Sequence, residues 1–265
     1  MDKITLLRDT LRPHLGWHGA RLSFVSMFLI ALLRTRTVNL SELATAFCGK
    51  VQIDSCYKRL QRFFREYDVD EITIAQTVVA LLKIPQPWVL SVDRTEWQLG
   101  KPVFNVLVLG VVHQGVAIPL VWTILNKRGN SNTVERMQLF SRFLEHFAHV
   151  QVSYPPQIGS LSGRTFSYLD ATPNTPFRIR IRENHKLFDG KHSLKVTTVF
   201  PDLQPAPRQV WRHQRRLWGH WLYIAALGLD DGNLLVVATQ CKPQMAIADY
   251  ANRWGIETLF GLFRH

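Results

Sequence analysis

Apolar residues in the first third of the chain recur at helical spacing. Phe24, Met27, Phe28, Ala31 and Leu32 fall along one side of a helix. Leu40 to Phe47 fits a shorter helix. Gly49 breaks it, and Asp54 or Ser55 offers a cap for another helix running to about Glu66. Residues 1–84 therefore read as helical. After Pro85 and Pro87 the pattern changes. Trp88 to Val92 reads as a buried strand ending at Asp93. Val103–Val112 and Val116–Leu125 predict a hairpin around His113, Gln114 and Gly115. Asn132 or Thr133 starts a helix to about Phe147, with Val134, Met137, Phe140, Phe143 and Leu144 on one face. Residues 153–163, with Pro155 and Pro156, make a poor strand. Strands resume at 177–182, 194–200, 221–228 and 233–239, and a helix closes the chain from about Pro243. This order predicts an α/β fold, a mixed sheet flanked by helices. Periodicity alone leaves several such folds open.

Charge narrows the choice of partner. The 265 residues hold 32 Lys and Arg against 20 Asp and Glu, a net charge of +12. Such an excess suits a polyanionic partner, nucleic acid being the commonest, and suits equally a merely basic soluble protein. Residues 178–216 carry ten Lys or Arg against three acids, a net of +7 within 39 residues. Arg178, Arg180 and Arg182 stand at spacing two, which puts three guanidiniums on one face of a strand. That face suits DNA phosphates, or else guards an exposed sheet edge. Lys58, Arg59, Arg62 and Arg65 follow a helix and a glycine turn. This is the outline of a helix-turn-helix, or of an ordinary solvated helix face.

The three cysteines, Cys48, Cys56 and Cys241, form no CxxC pair and are expected as reduced thiols in the cytoplasm. No signal peptide is expected at the start, and the apolar run Phe24–Leu33 is too short to span a bilayer.

The closing segment carries the strongest chemical pattern. Tyr250, Arg253, Glu257 and Arg264 would project from one side of a continuous helix, within roughly 60° of one another. Taken alone, that is an ordinary surface stripe with one Arg–Glu pair. The segment reads Tyr250-Ala-Asn-Arg253-Trp-Gly-Ile-Glu257-Thr-Leu-Phe-Gly-Leu-Phe-Arg264. It resembles the Tyr-Arg-Glu-Lys signature of bacterial insertion-sequence DDE transposases of the insertion-sequence-four family, with Arg264 where lysine is usual. Asp93-Arg-Thr-Glu-Trp97 resembles the family's first aspartate motif, and Lys127 to Ser131 its Lys-Arg-Gly-Asn-Ser stretch. The similarity runs from about residue 20 over nearly the whole chain.

The resemblance implies a ribonuclease-H-like catalytic domain over 85–265, with a β-rich basic insertion at about 185–240. It also implies a chain cut short at its C-terminus, while the helical pattern over 1–84 leaves an N-terminal helical region open to DNA binding or to a solvated helix face. Transposon ends and target, both double-stranded DNA, would be the partners, bound by a homodimer in the bacterial cytosol at the nucleoid. The implied chemistry is phosphodiester cleavage and strand transfer, with two Mg2+ or Mn2+ ions about 3.5–4 Å apart. Asp93 and Glu257 would be catalytic metal ligands, and Tyr250, Arg253 and Arg264 would contact DNA beside Arg178, Arg180 and Arg182. The reading requires Asp93 and Glu257 on one face of the molecule.

One ligand is missing. Intact relatives carry a second aspartate near 155–163, but no Asp or Glu lies between Glu145 and Asp170. Read two bases later, permitted codons for Ser153–Gly163 spell Leu-Pro-Ala-Ala-Asp-Arg-Glu-Phe-Ile-Gly, which suggests two compensating frameshifts. Asp170 reads as a surface residue. Impaired catalysis is therefore expected. The alternatives are a non-catalytic DNA-binding remnant or transposition inhibitor, and another ribonuclease-H-like nuclease.

Overall fold

The computed structural model describes residues 2–47, 52–98, 101–154, 177–182, 184–200, 208–210, 213–252 and 254–262. The chain forms two compact units, Met1–Lys83 and Ile84–His265.

The first unit is helical: α1 (Lys3–Leu11), α2 (Gly19–Thr35), α3 (Leu40–Phe47), α4 (Ile53–Glu66) and α5 (Glu71–Leu82). Phe24, Ala31, Leu43, Ala44, Phe47, Cys56 and Leu60 form its main core. The Phe24 ring lies 5.1 Å from that of Phe47 and 4.5 Å from that of Phe63. Asp70 caps α5, accepting from the Ile72 and Thr73 amides at 3.3 and 2.9 Å. Helix α4 starts at Ile53, ahead of the expected caps, and its N-cap Gln52 makes no side-chain cap bond. Asp54 instead lies in its first turn, where an anion suits the helix dipole. Cys56 is disulfide-bonded rather than a reduced thiol, whereas Cys241 is free as expected. A disulfide needs no CxxC spacing, and Cys56 sits in the first turn of α4.

The second unit holds two sheets. The first is built from β1 (Trp88–Gln98), β2 (Val103–His113), β3 (Val116–Leu125) and β4 (Val152–Tyr154), in the order β3-β2-β1-β4. The β2–β3 hairpin turns on Gln114 and Gly115, both at positive φ (50° and 80°), as a two-residue turn requires. Helix α6 (Thr133–Phe147) separates β3 from β4 and opens with a capping box between Asn132 and Glu135. After it the chain returns as β4, parallel to β1. Strand β1 extends to Gln98, paired with β2 from Leu90 onward, so Asp93 stands in mid-strand rather than at the strand's end.

The second sheet contains β5 (Ile179–Ile181), β6 (Lys186–Phe188), β7 (Ser193–Lys195), β8 (Arg208–Val210), β9 (Arg215–Leu217), β10 (His220–Gly228) and β11 (Leu234–Thr239). Its order is β5-β11-β10-β9-β6-β7, with β8 also on β10. The strand expected at 194–200 is short. It gives way to a helical turn, α7 (Val196–Val199), whose buried Val196 and Val199 need helical rather than alternating placement.

The closing helix is broken. A 3-10 turn (Pro243–Met245) leads into α8 (Ala246–Ala251), and α9 (Trp254–Leu262) follows. Each piece serves a different sheet. Helix α8 buries Ala246, Ile247 and Tyr250 against Ala225 and Val237 of the second sheet. Helix α9 buries Ile256, Leu259 and Phe260 against Val106, Val108 and Ala117 of the first. Among the described residues no single helix is long and apolar enough to cross a membrane.

Candidate functional site

Register decides what faces what on the first sheet. Directly opposed residues of antiparallel strands share a face. Asp93 opposes Val108, Thr95 opposes Val106 and Trp97 opposes Phe104. Val106 and Val108 pack under α9, with Trp97 and Phe104 against the same cluster. Asp93 therefore belongs to the face that α9 covers. Leu90, Val92, Arg94 and Glu96 point the other way, as does Trp88, whose ring lies 5.8 Å from Phe147 of α6.

Gly255 seats the start of α9. A Cβ there would lie 3.1 Å from Val112 Cγ1 and 3.3 Å from the Ala117 backbone nitrogen, so the helix lies nearly against the hairpin backbone. That seating fixes the position of Glu257, two residues on, along the sheet. Glu257 is exposed, on the flank of α9 away from its buried stripe. Asp93 is half-buried and accepts a hydrogen bond from the Arg94 amide at 2.8 Å. Two positions further along β1, the Thr95 hydroxyl is buried without a hydrogen-bond partner among the described residues. An apolar cleft of about 410 Å3, lined by Trp97, Phe104, Val108, Trp122, Leu259 and Phe260, opens on this face.

The rest of the closing signature is dispersed. Tyr250 is 6% exposed and packed among aliphatic side chains on α8. It does not share a continuous helix face with Glu257, because the helix breaks between them. Arg253 and Arg264 lie outside the described residues, as do Asp170 and most of the 153–163 segment.

The three spaced arginines divide. In β5 Ile179 and Ile181 point inward, which leaves Arg180 and Arg182 exposed. Arg178 precedes the strand and is buried. Its Nε donates to Asp249 at 3.0 Å, and Nη2 stands 3.0 Å from the same carboxylate oxygen. Nη1 donates to the Thr239 hydroxyl, and to the Phe177 carbonyl at 3.2 Å. Arg178 is therefore a clamp between β5, β11 and α8, and its guanidinium is not presented to phosphate beside the other two. No sequence pattern pointed to Asp249, 71 positions away.

A second network was also unread in the sequence. Asn105, 2% exposed, donates to the carbonyls of Lys127 and Gly129, each at 2.9 Å. Arg94 bonds Glu96 at 2.5 Å and reaches Asn130 at 3.4 Å. Lys127 pairs with Glu135 at 2.9 Å. Partial burial pushes the Glu135 carboxyl up. The Lys127 and Asn132 hydrogen bonds and the charges of Lys127 and Arg136 outweigh it and hold Glu135 below its ordinary value.

A two-ion magnesium or manganese centre needs three carboxylates. Among the described residues no group of three or more His, Cys, Asp or Glu stands together. Within the described residues, therefore, the donor set does not fit such a centre.

No family model matches the chain, and no curated protein matches it in sequence. Among solved structures it is similar to piggyBac transposase, determined by cryo-EM in a synaptic complex with hairpin DNA. The TM-score is 0.45 and the identity 11%, over 98% of this chain and 65% of that one. Nothing about activity follows from a likeness of that size.

Proposed function

We propose that this chain is a DNA-transposase relative of the DDE kind that binds double-stranded DNA and is impaired in cutting it. The carrying observation is the shared face: Asp93 in mid-β1 lies on the side of the sheet covered by α9, the helix that bears Glu257. The order β3-β2-β1-β4, with β4 parallel to β1 after a helix, supports a ribonuclease-H-like arrangement. The signature spacings of Asp93-x-Thr-x-Trp97 and Tyr250-x-x-Arg253-x-x-x-Glu257 support the insertion-sequence-four branch, and with it a bacterial origin and a homodimer on DNA. Exposed Arg180 and Arg182 would track phosphate, joined by Arg253 and Arg264. Asp93 and Glu257 would be the surviving pair of a Mg2+- or Mn2+-binding triad.

One sequence fact favours a non-catalytic DNA-binding remnant or inhibitor over a working enzyme: no acid stands between Glu145 and Asp170. The test is nicking of supercoiled DNA in Mg2+ or Mn2+. The chain as it stands is expected to bind DNA without nicking it. A version whose 153–163 segment is replaced by the aspartate-containing reading is expected to nick, and to stop when Asp93→Asn is added. Metal-dependent nicking by the unaltered chain that survives Asp93→Asn refutes the proposal.

A further inference from the structure

The open end of the first sheet carries a cleft that the reading above does not use. Its volume is about 490 Å3, and it is lined by both polar and apolar groups. One wall is the loop after β3, with Asn126, Lys127 and Arg128. Another is Lys101 and Pro102 at the entry to β2, and apolar side chains of Phe104 and Ile124 complete it.

Two properties make this more than a basic surface. The loop is held in place beforehand. Both amide donors of buried Asn105 are spent on its carbonyls, Arg94 reaches Asn130, and Gly129 takes the positive φ of 82° that the bend needs. A ligand here meets a wall already ordered, so binding does not bear the cost of ordering it. The cations also sort themselves. Lys127 is committed to Glu135 and Arg94 to Glu96. Lys101 and Arg128 are exposed and make no ion pair among the described residues, so they are the charges left for a ligand. Glu96, at the cleft's edge, has its charge answered by Arg94.

We infer that this cleft binds one nucleotide unit of a single DNA strand. The phosphate lies at Lys101 and Arg128, and the sugar and base lie against Phe104 and Ile124. The size supports a single strand: the volume is that of a small-ligand pocket, with room for about one nucleotide and not for a duplex. The apolar wall supports a nucleotide over a bare anion, since a base gains by covering apolar surface. The inference rests on the DNA-binding reading.

The test is fluorescence anisotropy over a salt series with two probes, a labelled oligothymidine and a duplex of equal length. Lys101→Gln/Arg128→Gln is expected to weaken oligothymidine binding about tenfold near 0.1 M salt. The slope of log K against log salt should shrink by about 0.7 per lost contact. Duplex binding, carried by Arg180 and Arg182, should change less than twofold. Arg128→Lys should keep most of the affinity, and unchanged thermal unfolding excludes misfolding as the cause. Unaltered oligothymidine binding in the double variant overturns the inference alone, as does equal loss on both probes. Absence of salt-dependent binding of either probe by the unaltered protein overturns both the inference and the DNA-binding reading.

Discussion

Replacing Asp249 by Leu separates a structural arginine from a DNA-binding one. The Arg178 and Asp249 side chains are 3% and 11% exposed, so water screens neither. Removing the carboxylate leaves a buried guanidinium whose other partners include a hydroxyl and two carbonyls, those of Phe177 and Lys242 at 3.2 and 3.5 Å. Breaking one side of such a pair costs about 3–5 kcal/mol. For a unit of this size, 1 kcal/mol moves the midpoint by roughly 2–4 °C, so the Ile84–His265 transition should fall by roughly 10 °C. Arg178→Met/Asp249→Leu removes the charge altogether. What remains is two carbonyls without that donor, a loss of about 1–3 kcal/mol. The Thr239 hydroxyl keeps its own bond to the Cys241 carbonyl at 2.9 Å. The double variant should therefore be more stable than Asp249→Leu alone, by about 2 kcal/mol. Urea unfolding followed by circular dichroism measures both. DNA titration supplies the second half. The double variant should keep the salt slope of the unaltered protein, whereas Arg180→Gln/Arg182→Gln should lose about 0.9 per contact on duplex DNA. The reasoning fails if the double variant is no more stable than Asp249→Leu. It fails equally if a stable double variant loses as much slope as the Arg180/Arg182 pair.

Glu135→Gln removes the charged half of the capping box and the partner of Lys127, and should cost about 1 kcal/mol at neutral pH. Because the folded carboxyl titrates below its ordinary value, that advantage is present above the unfolded pKa of about 4.3 and is lost as pH falls through the lower folded pKa. Stability of the two proteins measured from pH 7 to pH 3 should converge, and a constant gap would disprove the assignment. Gly110→Ala places a Cβ 2.7 Å from the Ile118 carbonyl oxygen, a backbone atom that cannot rotate away. It should destabilise the unit by about 1–3 kcal/mol or more, and an unfolding midpoint within error of the parent would contradict the packing. The frameshift reading requires Gln157 to be encoded as CAG. A CAA codon turns the shifted Asp into Asn, and reading the gene decides.

How much of this was legible in the sequence depended on whether the determining contact was local. The β2–β3 hairpin was readable because Gln114 and Gly115 sit between two runs of β-branched residues, and turn and pattern agree over a short span. Strand β1 was readable up to Asp93 but not beyond. Arg94, Glu96 and Gln98 look like loop residues until pairing with β2 supplies their place. The three-residue strands β6, β8 and β9 are too short for a period of two to show. The closing helix misled for a different reason. Residues 243–262 carry enough helix-favouring apolar positions for one helix, yet Tyr250 and Ile256 are claimed by different sheets, and one straight rod cannot satisfy both. Arg178 misled because spacing two predicts a shared face only while the strand lasts. β5 begins at Ile179, and the residue before it turns inward to an acid far along the chain. The sheet half of the candidate site was thus written in nearest-neighbour patterns. The helix half depends on where Gly255 lets α9 settle against Val112 and Ala117, a contact between residues more than a hundred positions apart.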